Sequence, residues 1–175
     1  MRSSLLSVKP DASEYAPYYG RYIDLVPPGD IVALLESQIV ETAEMLRGLS
    51  EKDAEFRYAE GKWSIKQIVG HLADAERVFC YRALRFARAD ATPLPGFEQD
   101  DFVRAAGSDR RTLVDLLEEF EAVRLASVRL FRSLDDEALM RRGTASDCPF
   151  CVRAIPFMIA GHERHHVSVI AQRYL

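Results

Sequence analysis

Apolar residues recur every three or four positions along most of the chain, which is the spacing of amphipathic α-helices. The first such stretch follows Asp30, whose side chain can cap a helix, and it ends near Leu49. The second follows Ser64, which is spaced from Gln67 as in a capping box, and it continues to about Ala89. We therefore predict two long helices in the first half of the chain.

The second half contains two further stretches of the same kind. The third has Ser108 or Asp109 as its expected cap, and its apolar positions continue to Leu134. The fourth begins near Pro156, because the first turn of a helix does not need the N–H that proline lacks. It runs to about Tyr174. We predict four long helices in total.

The remaining segments lack this periodicity. Residues 1–27 are aperiodic and are expected to form an arm along the body of the protein. The sequence ATPLPGF, residues 91–97, has two prolines and a glycine and must break the second helix. Residues 98–107 are ambiguous and fit a short helical turn, while residues 135–154 are irregular or contain one short helix. No segment shows a convincing strand pattern.

These elements predict an all-α fold, an antiparallel four-helix bundle of residues 28–175 that follows an irregular N-terminal arm of residues 1–27. A length of 175 residues with 48% hydrophobic and 29% charged residues suits one globular domain. No apolar run approaches the roughly 18 residues that span a bilayer, and the N-terminus does not resemble a signal peptide. We therefore expect a cytoplasmic protein with no membrane partner.

Charge and cysteine content narrow the function classes. The net charge of −4 argues against nucleic-acid binding, which needs a clustered basic face. Three cysteines are too few for a secreted disulfide framework, and an odd number cannot all pair with one another. Cys80 fits a small core residue. Cys148 and Cys151, in CPFC, could be plain loop residues, a redox pair, or half of a zinc-finger-like site.

Three of the four histidines lie within GHERHHVSVI, residues 161–170. Each helical residue advances by about 100°, so His162 and His166 share the core-facing stripe, stacked about 6 Å apart along the axis. Both can therefore reach one metal ion, whereas His165 sits at the other edge of the stripe, about 100° from His166, and is a poorer candidate ligand. The fourth histidine, His71, flanks the apolar stripe of the second helix, where it could complete a three-imidazole site with open coordination positions. The plainer alternative is that these are ordinary core or boundary histidines.

Two segments of the chain resemble a known family. KWSIKQIVGHLADAE, residues 62–76, and AGHERHHVSVI, residues 160–170, resemble the DinB/YfiT-like family of metal-dependent four-helix-bundle proteins, with similarity over about residues 28–174. The family pattern, a histidine on the second helix and H-x-x-x-H on the fourth, maps onto His71, His162 and His166. The resemblance implies a divalent metal ion (nickel, zinc, iron or manganese) and, in some branches, thiol S-transferase or related isomerase chemistry.

A metal with an open position lowers the pKa of bound water and deprotonates a bound thiol. We therefore expect a transferase in which a low-molecular-weight thiol attacks a small electrophile, with two alternatives. These are a hydrolase that uses metal-bound water, and a non-catalytic metal- or ligand-binding bundle that forms a homodimer. Arg82 lies at nearly the same angle as His71 and could hold an anionic substrate group, unless it is a solvated flank residue. Glu76 could accept a proton or orient a ligand, unless it simply pairs with an arginine.

Overall fold

The computed structural model of the protein describes residues 3–175, and four long α-helices form its body. The α-helices of this part are α1 (Gly20–Ile23), α2 (Ile31–Arg47), α3 (Glu51–Ala54), α4 (Ile65–Ala87), α5 (Gln99–Ala106), α6 (Leu113–Arg132), α7 (Asp136–Met140) and α8 (Ala154–Arg173). The bundle consists of α2, α4, α6 and α8, which confirms the predicted all-α four-helix bundle. None of the helices within residues 3–175 has the length and apolar character that crossing a membrane requires.

Each bundle helix packs against two others, and two of the neighbouring pairs run parallel. The helices α2 and α4 each pack against α6 and α8. Gln38 and Thr42 of α2 donate to Ala160 and Glu163 of α8 in the same order along both helices, so these helices are parallel. The hydrogen bonds between α4 and α6 also occur in the same order along both helices, so this pair is parallel as well. The polar contacts of α2 with α6 and of α4 with α8 occur in opposite order along the two helices, so these pairs are antiparallel. The predicted antiparallel direction therefore holds for α2 with α6 and for α4 with α8 but not for the other two pairs, because hydrophobic periodicity alone does not specify these directions.

This arrangement explains the long connection between α4 and α6. Consecutive helices in a simple up-and-down bundle need only short loops, but a parallel neighbour needs a connection that crosses the length of the bundle. Residues 88–112 make such a crossover from α4 to α6, and α5 lies within it. The helix α5 resolves the ambiguous segment 98–107 as a helix of two turns.

The structure confirms two predicted helix starts and corrects a third. Asp30 accepts hydrogen bonds from the first turn of α2, and Ser64 forms a full capping box with Gln67 at the start of α4. The helix α6 is capped by Thr112, so the prediction of Ser108 or Asp109 was wrong.

Long-range packing accounts for this error. Ser108 covers Gly70 so closely that a Cβ atom on that glycine would lie 2.3 Å from the Ser108 hydroxyl oxygen. Asp109 accepts a hydrogen bond from the Ser64 hydroxyl at 2.6 Å. Both side chains therefore contact the N-terminal part of α4 rather than capping α6. The start of α8 at Ala154 lies within two residues of the predicted one.

A β-hairpin precedes α8, which contradicts the expectation of no strand. Strand β1 (Arg142–Ala145) pairs antiparallel with β2 (Cys148–Cys151) across a two-residue turn of Ser146 and Asp147. Both turn residues have positive φ angles, 51° and 58°, as this type of tight hairpin requires. The strands have only four residues each, and the turn lacks the glycine that usually signals such a hairpin. The short helix predicted in the preceding segment is present as α7.

The N-terminal arm packs onto the bundle as part of the same core. The arm contributes three residues to the apolar cluster that also contains residues of α4, α6 and α8, namely Leu6, Ile23 and Val26. The helix α1 approaches α8 closely at Gly161, where a Cβ atom would lie 2.0 Å from the Tyr22 carbonyl oxygen. The first two residues of the predicted arm lie outside the described part of the chain.

A polar layer divides the core into two apolar clusters. One cluster includes Phe79 and Ile159, and the other includes Leu72 and Ile170. Between them lies a network in which the Arg124 guanidinium donates to both oxygens of Glu76, to Glu163 and to the Leu35 carbonyl. Burial alone would lower the pKa of Arg124, but the two carboxylates raise it above its ordinary value. This one side chain therefore links all four bundle helices.

Replacement of Arg124 by Met should strongly destabilise the protein, because it leaves two carboxylates buried without their cation. Removal of one partner from such a network costs about 3–5 kcal/mol of unfolding free energy. The matched control is Arg47→Met, which removes an exposed ion pair with Glu121 and should cost less than about 1 kcal/mol. Urea unfolding measures both values, and equal losses in the two variants would contradict the assigned role of Arg124.

The ion pair of Glu14 with Arg153 should make docking of the arm depend on pH. Burial alone would raise the pKa of Glu14, but the hydrogen bonds from Arg153 and the Asp11 amide lower it below its ordinary value of 4.5. A lowered folded-state pKa stabilises the fold above pH 4.5, and this stabilisation is lost as pH falls through the folded-state value.

Glu14→Gln should therefore melt at a lower temperature than the parent at about pH 7, and the difference should narrow below about pH 4.5. Thermal unfolding across this range is the measurement, and Glu60→Gln, at an exposed position, is the control. A difference that stays constant as the pH falls would show that Glu14 does not act through its charge.

Candidate metal centre

The structure brings His71, His162 and His166 together at one point between α4 and α8. The Nε2 atom of His162 lies 3.1 Å from Nε2 of His71 and 3.1 Å from Nε2 of His166. The ligand atoms of the three residues all lie within 4.8 Å of one another. These are the three positions that the helical angles and the resemblance both indicated.

Aromatic side chains hold the three imidazole rings in place. Trp63, just before α4, stacks on His166 at an interplanar angle of 16° and lies 4.8 Å from the centre of the His71 ring. From the other side, Tyr22 of the arm meets the His162 ring edge-on at 5.3 Å. Packing on both sides limits rotation of the rings, so the Nε2 atoms stay close together.

Burial keeps all three histidines neutral at pH 7. Burial lowers the pKa of His71 to about 4, against a smaller opposing effect of Asp100. Burial and the neighbouring histidines lower the pKa of His166 to about 3 and that of His162 well below its ordinary value of 6.5. A neutral imidazole is the form that binds a metal ion, so the site needs no deprotonation near neutral pH.

The geometry of the donor set fits a divalent ion. Metal–nitrogen bonds of about 2.0–2.1 Å place two ligand nitrogens about 3.3 Å apart in a tetrahedral site. The observed 3.1 Å is close to this spacing. Hydrogen bonds alone explain the arrangement less well, because Nε2 of His162 has either one proton or one lone pair but faces two partners. One cation would use the lone pairs of all three rings.

Two cavities adjoin the three histidines from different sides. The first has a volume of about 280 Å³ and is lined by His71 and His162, by three tyrosines of the arm and by residues at the start of α5. The second has a volume of about 340 Å³ and is lined by His165 and His166, Trp63 and Asp100. His165 itself is exposed and does not belong to the group of converging donors.

The two other candidate site residues lie in different environments. Arg82 lines the first cavity, where its Nη2 atom donates to the Pro95 carbonyl and the Ser146 hydroxyl. Glu76 lines neither cavity, and both of its oxygens accept from Arg124. The alternative interpretation of Glu76, as the partner of an arginine, therefore describes its position.

The cysteines of CPFC do not join the histidines. Within residues 3–175, the group of His, Cys, Asp or Glu side chains placed to share one ion is the three histidines, so the zinc-finger-like alternative is wrong. Cys148 and Cys151 are free thiols on strand β2. Burial raises the pKa of the Cys151 thiol, which donates to the Leu139 carbonyl.

Sequence reasoning missed the acidic residues near the site. Glu98 lines the first cavity and Asp100 the second. Both belong to the sequence EQDD, which is polar and carries no helical stripe of its own, so no local signal connects it to the histidines. The crossover between α4 and α6 brings it there.

Comparison with known proteins finds a matching family, a named relative and a solved structure of similar fold. A family model described as the DinB superfamily matches residues 34–170. A relative from Oceanobacillus iheyensis, named "Putative metal-dependent hydrolase OB0413", is 25% identical over 140 residues, which cover 78% of this chain and 79% of the relative. The solved structure of YfiT from Bacillus subtilis, described as "a probable metal-dependent hydrolase with an unusual four-helix bundle topology", matches with a TM-score of 0.74 and 17% identity. This match covers 97% of the chain and 95% of YfiT, and it supports the fold.

Removal of one imidazole should cost most of the bound metal. We expect His71→Ala and His166→Ala to lower the metal content per chain, since each removes one of three donors, while the control His165→Ala retains it. Elemental analysis after dialysis measures the content, and circular dichroism verifies that each variant is folded. Equal metal content in the parent and all three variants would show that the histidines do not hold the ion.

Proposed function

The chain belongs to the DinB superfamily, and from that premise we propose that it is a metal-dependent hydrolase with its ion held by His71, His162 and His166. The observation that carries the proposal is the close approach of three neutral Nε2 atoms beside an open cavity, with Nε2 of His162 3.1 Å from each of the other two. Both relatives described above are named as hydrolases of this kind. Imidazole donors suit zinc, iron and nickel, whereas manganese prefers oxygen ligands.

The chemistry at such a site is metal-assisted hydrolysis. A divalent ion bound by three neutral imidazoles supplies Lewis-acid polarisation of a carbonyl group and makes water nucleophilic near neutral pH. In the overall reaction, water adds to the carbonyl carbon, the bond from that carbon to oxygen or nitrogen breaks, and the leaving group takes up a proton.

The chain's own residues orient the site and handle the proton. Trp63 and Tyr22 keep the imidazoles in one orientation and cover them with aromatic surface, which limits the access of bulk water. Glu98 and Asp100 are the carboxylates at the two cavities, and they replace Glu76 as the proposed proton acceptors. Glu76 instead has a positioning role, because it anchors α4 through Arg124 only five residues after His71.

A second candidate function is thiol S-transfer, which the presence of two cavities favours. A transferase must bring two reactants to the ion, and the cavities approach the histidines from different sides. A low-molecular-weight thiol in one cavity and a small electrophile in the other would meet at the ion. A hydrolase needs only one of these cavities for an organic substrate.

One reconstitution experiment tests both functions. The protein is stripped with a chelator, reloaded separately with zinc, nickel, iron or manganese, and assayed with panels of esters and amides. A parallel assay supplies a thiol and an electrophile such as a chlorodinitrobenzene. We expect ester or amide hydrolysis that requires metal and is lost in His71→Ala but not in His165→Ala. Thioether formation without hydrolysis would favour the transferase, and no metal-dependent turnover with either panel would contradict the proposal.

A further inference from the structure

Three arginines are buried within residues 3–175, and only Arg82 among them has no carboxylate partner. Arg124 pairs with two glutamates and Arg153 pairs with Glu14. Arg82 is only 3% exposed, yet its hydrogen bonds go to the neutral Pro95 carbonyl and Ser146 hydroxyl. Because a buried charge is costly unless it is paired, a missing anion is the simplest explanation.

The residues around Arg82 do not supply that anion. Burial raises the pKa of Tyr19, against a smaller opposing effect of Arg82, so the Tyr19 hydroxyl stays neutral at pH 7. Glu98 lines the same cavity, but it is exposed and contributes no ion pair with Arg82 in the described part of the chain. Among the described residues no carboxylate therefore pairs with this cation, whose Cζ atom lies 6.0 Å from the centre of the Phe97 ring.

The cavity joins Arg82 to the histidines along one face of α4. His71, Ala75, Phe79 and Arg82 all line it, at intervals of three and four residues. A rise of 1.5 Å per residue puts the Cα atoms of residues 71 and 82 about 16 Å apart along the helix. Although the side chains span part of this distance, a molecule that touches both ends must be extended. Its middle would lie against Ala75 and Phe79, which are apolar, and the Phe97 ring lies beside the guanidinium.

The charge of the site selects among anions. The guanidinium fork of arginine matches both carboxylates and phosphates. A phosphate monoester carries a charge of about −1.5 to −2 at pH 7, which one guanidinium cannot neutralise away from water. A carboxylate carries a single charge and forms a balanced pair with Arg82.

We propose that this cavity binds an extended monocarboxylate, with its carboxylate on Arg82 and its hydrolysable ester or amide group at the three histidines. An apolar spacer joins the two groups along α4. The assignment rests on the proposed function and adds to it a substrate class and a substrate-binding residue. Because Pro95 and Ser146 fix the guanidinium, the cavity selects substrates by length as well as by charge.

The test uses metal-loaded protein and probes that resemble the proposed substrate at both ends. Monohydroxamates of linear dicarboxylic acids, from succinic to suberic acid, have a metal-binding group at one end and a carboxylate at the other. The methyl ester of each probe lacks the charge, and acetohydroxamate lacks the whole second half. Calorimetry gives the affinity of each probe. We expect one spacer length to bind best, with the acid about ten- to a hundredfold tighter than its methyl ester.

Variants of Arg82 test whether this residue causes the preference for the acid over its methyl ester. Arg82→Gln should abolish the preference for acid over ester without weakening acetohydroxamate, and Arg82→Lys should retain part of it. The matched control is Arg129→Gln, an exposed position away from the cavity, which should keep the full preference. Melting temperatures verify that the variants are folded, and the comparison of acid with ester in the parent stands even if a variant fails to fold.

The outcomes separate the inference from the proposed function. If acetohydroxamate binds no better to the parent than to His71→Ala, the metal centre and the proposed function fail. If acetohydroxamate binds as expected but acids and esters bind equally at every length, the metal centre stands and the carboxylate site is wrong. A preference that survives in Arg82→Gln would also overturn the assignment, because another residue would then hold the carboxylate.

Discussion

The hydrogen-bonded ion pairs of the Arg124 guanidinium are the interaction on which the rest of the structure depends. The guanidinium extends from α6 and is bound by Glu76 of α4, Glu163 of α8 and the Leu35 carbonyl of α2, all away from solvent. Charged hydrogen bonds are directional, so this contact fixes the rotation and axial position of the four helices more narrowly than apolar packing does. Glu163 follows His162 in the sequence, and Glu76 lies five residues after His71. The same contact therefore aligns the two helices that carry the imidazoles.

The arm and the crossover enclose the cavity beside the histidines that the bundle brings together. The bundle brings the histidines together, but the cavity beside them exists because residues from outside the four helices enclose it. Tyr19 and Tyr22 close one side, and Gly161 allows the arm to approach α8 closely enough to do so. The crossover contributes Glu98, and the hairpin contributes Ser146, which fixes Arg82. Affinity for the ion is thus a property of the bundle, whereas selection of a substrate is a property of the segments packed around it.

The sequence predicts the parts of this design that have a local signal. Helical spacing identifies four long helices, capping residues locate two of their starts, and angles around the last helix separate His162 and His166 from His165. The missed features depend on distant contacts. Nothing near Glu76 reveals that its partner is Arg124, and a hairpin of two four-residue strands is too short to show alternation. The parallel direction of neighbouring helices depends on how long connections cross the bundle, which periodicity does not encode.

The central claim is that three imidazoles share one divalent ion that keeps room for an outside ligand. X-ray absorption spectroscopy of the zinc-loaded protein tests it most directly. We expect three imidazole nitrogens, with the remaining coordination completed by oxygen, at about 2.0–2.1 Å and no sulfur. A sulfur shell at about 2.3 Å, or fewer than three imidazoles around the ion, would contradict it.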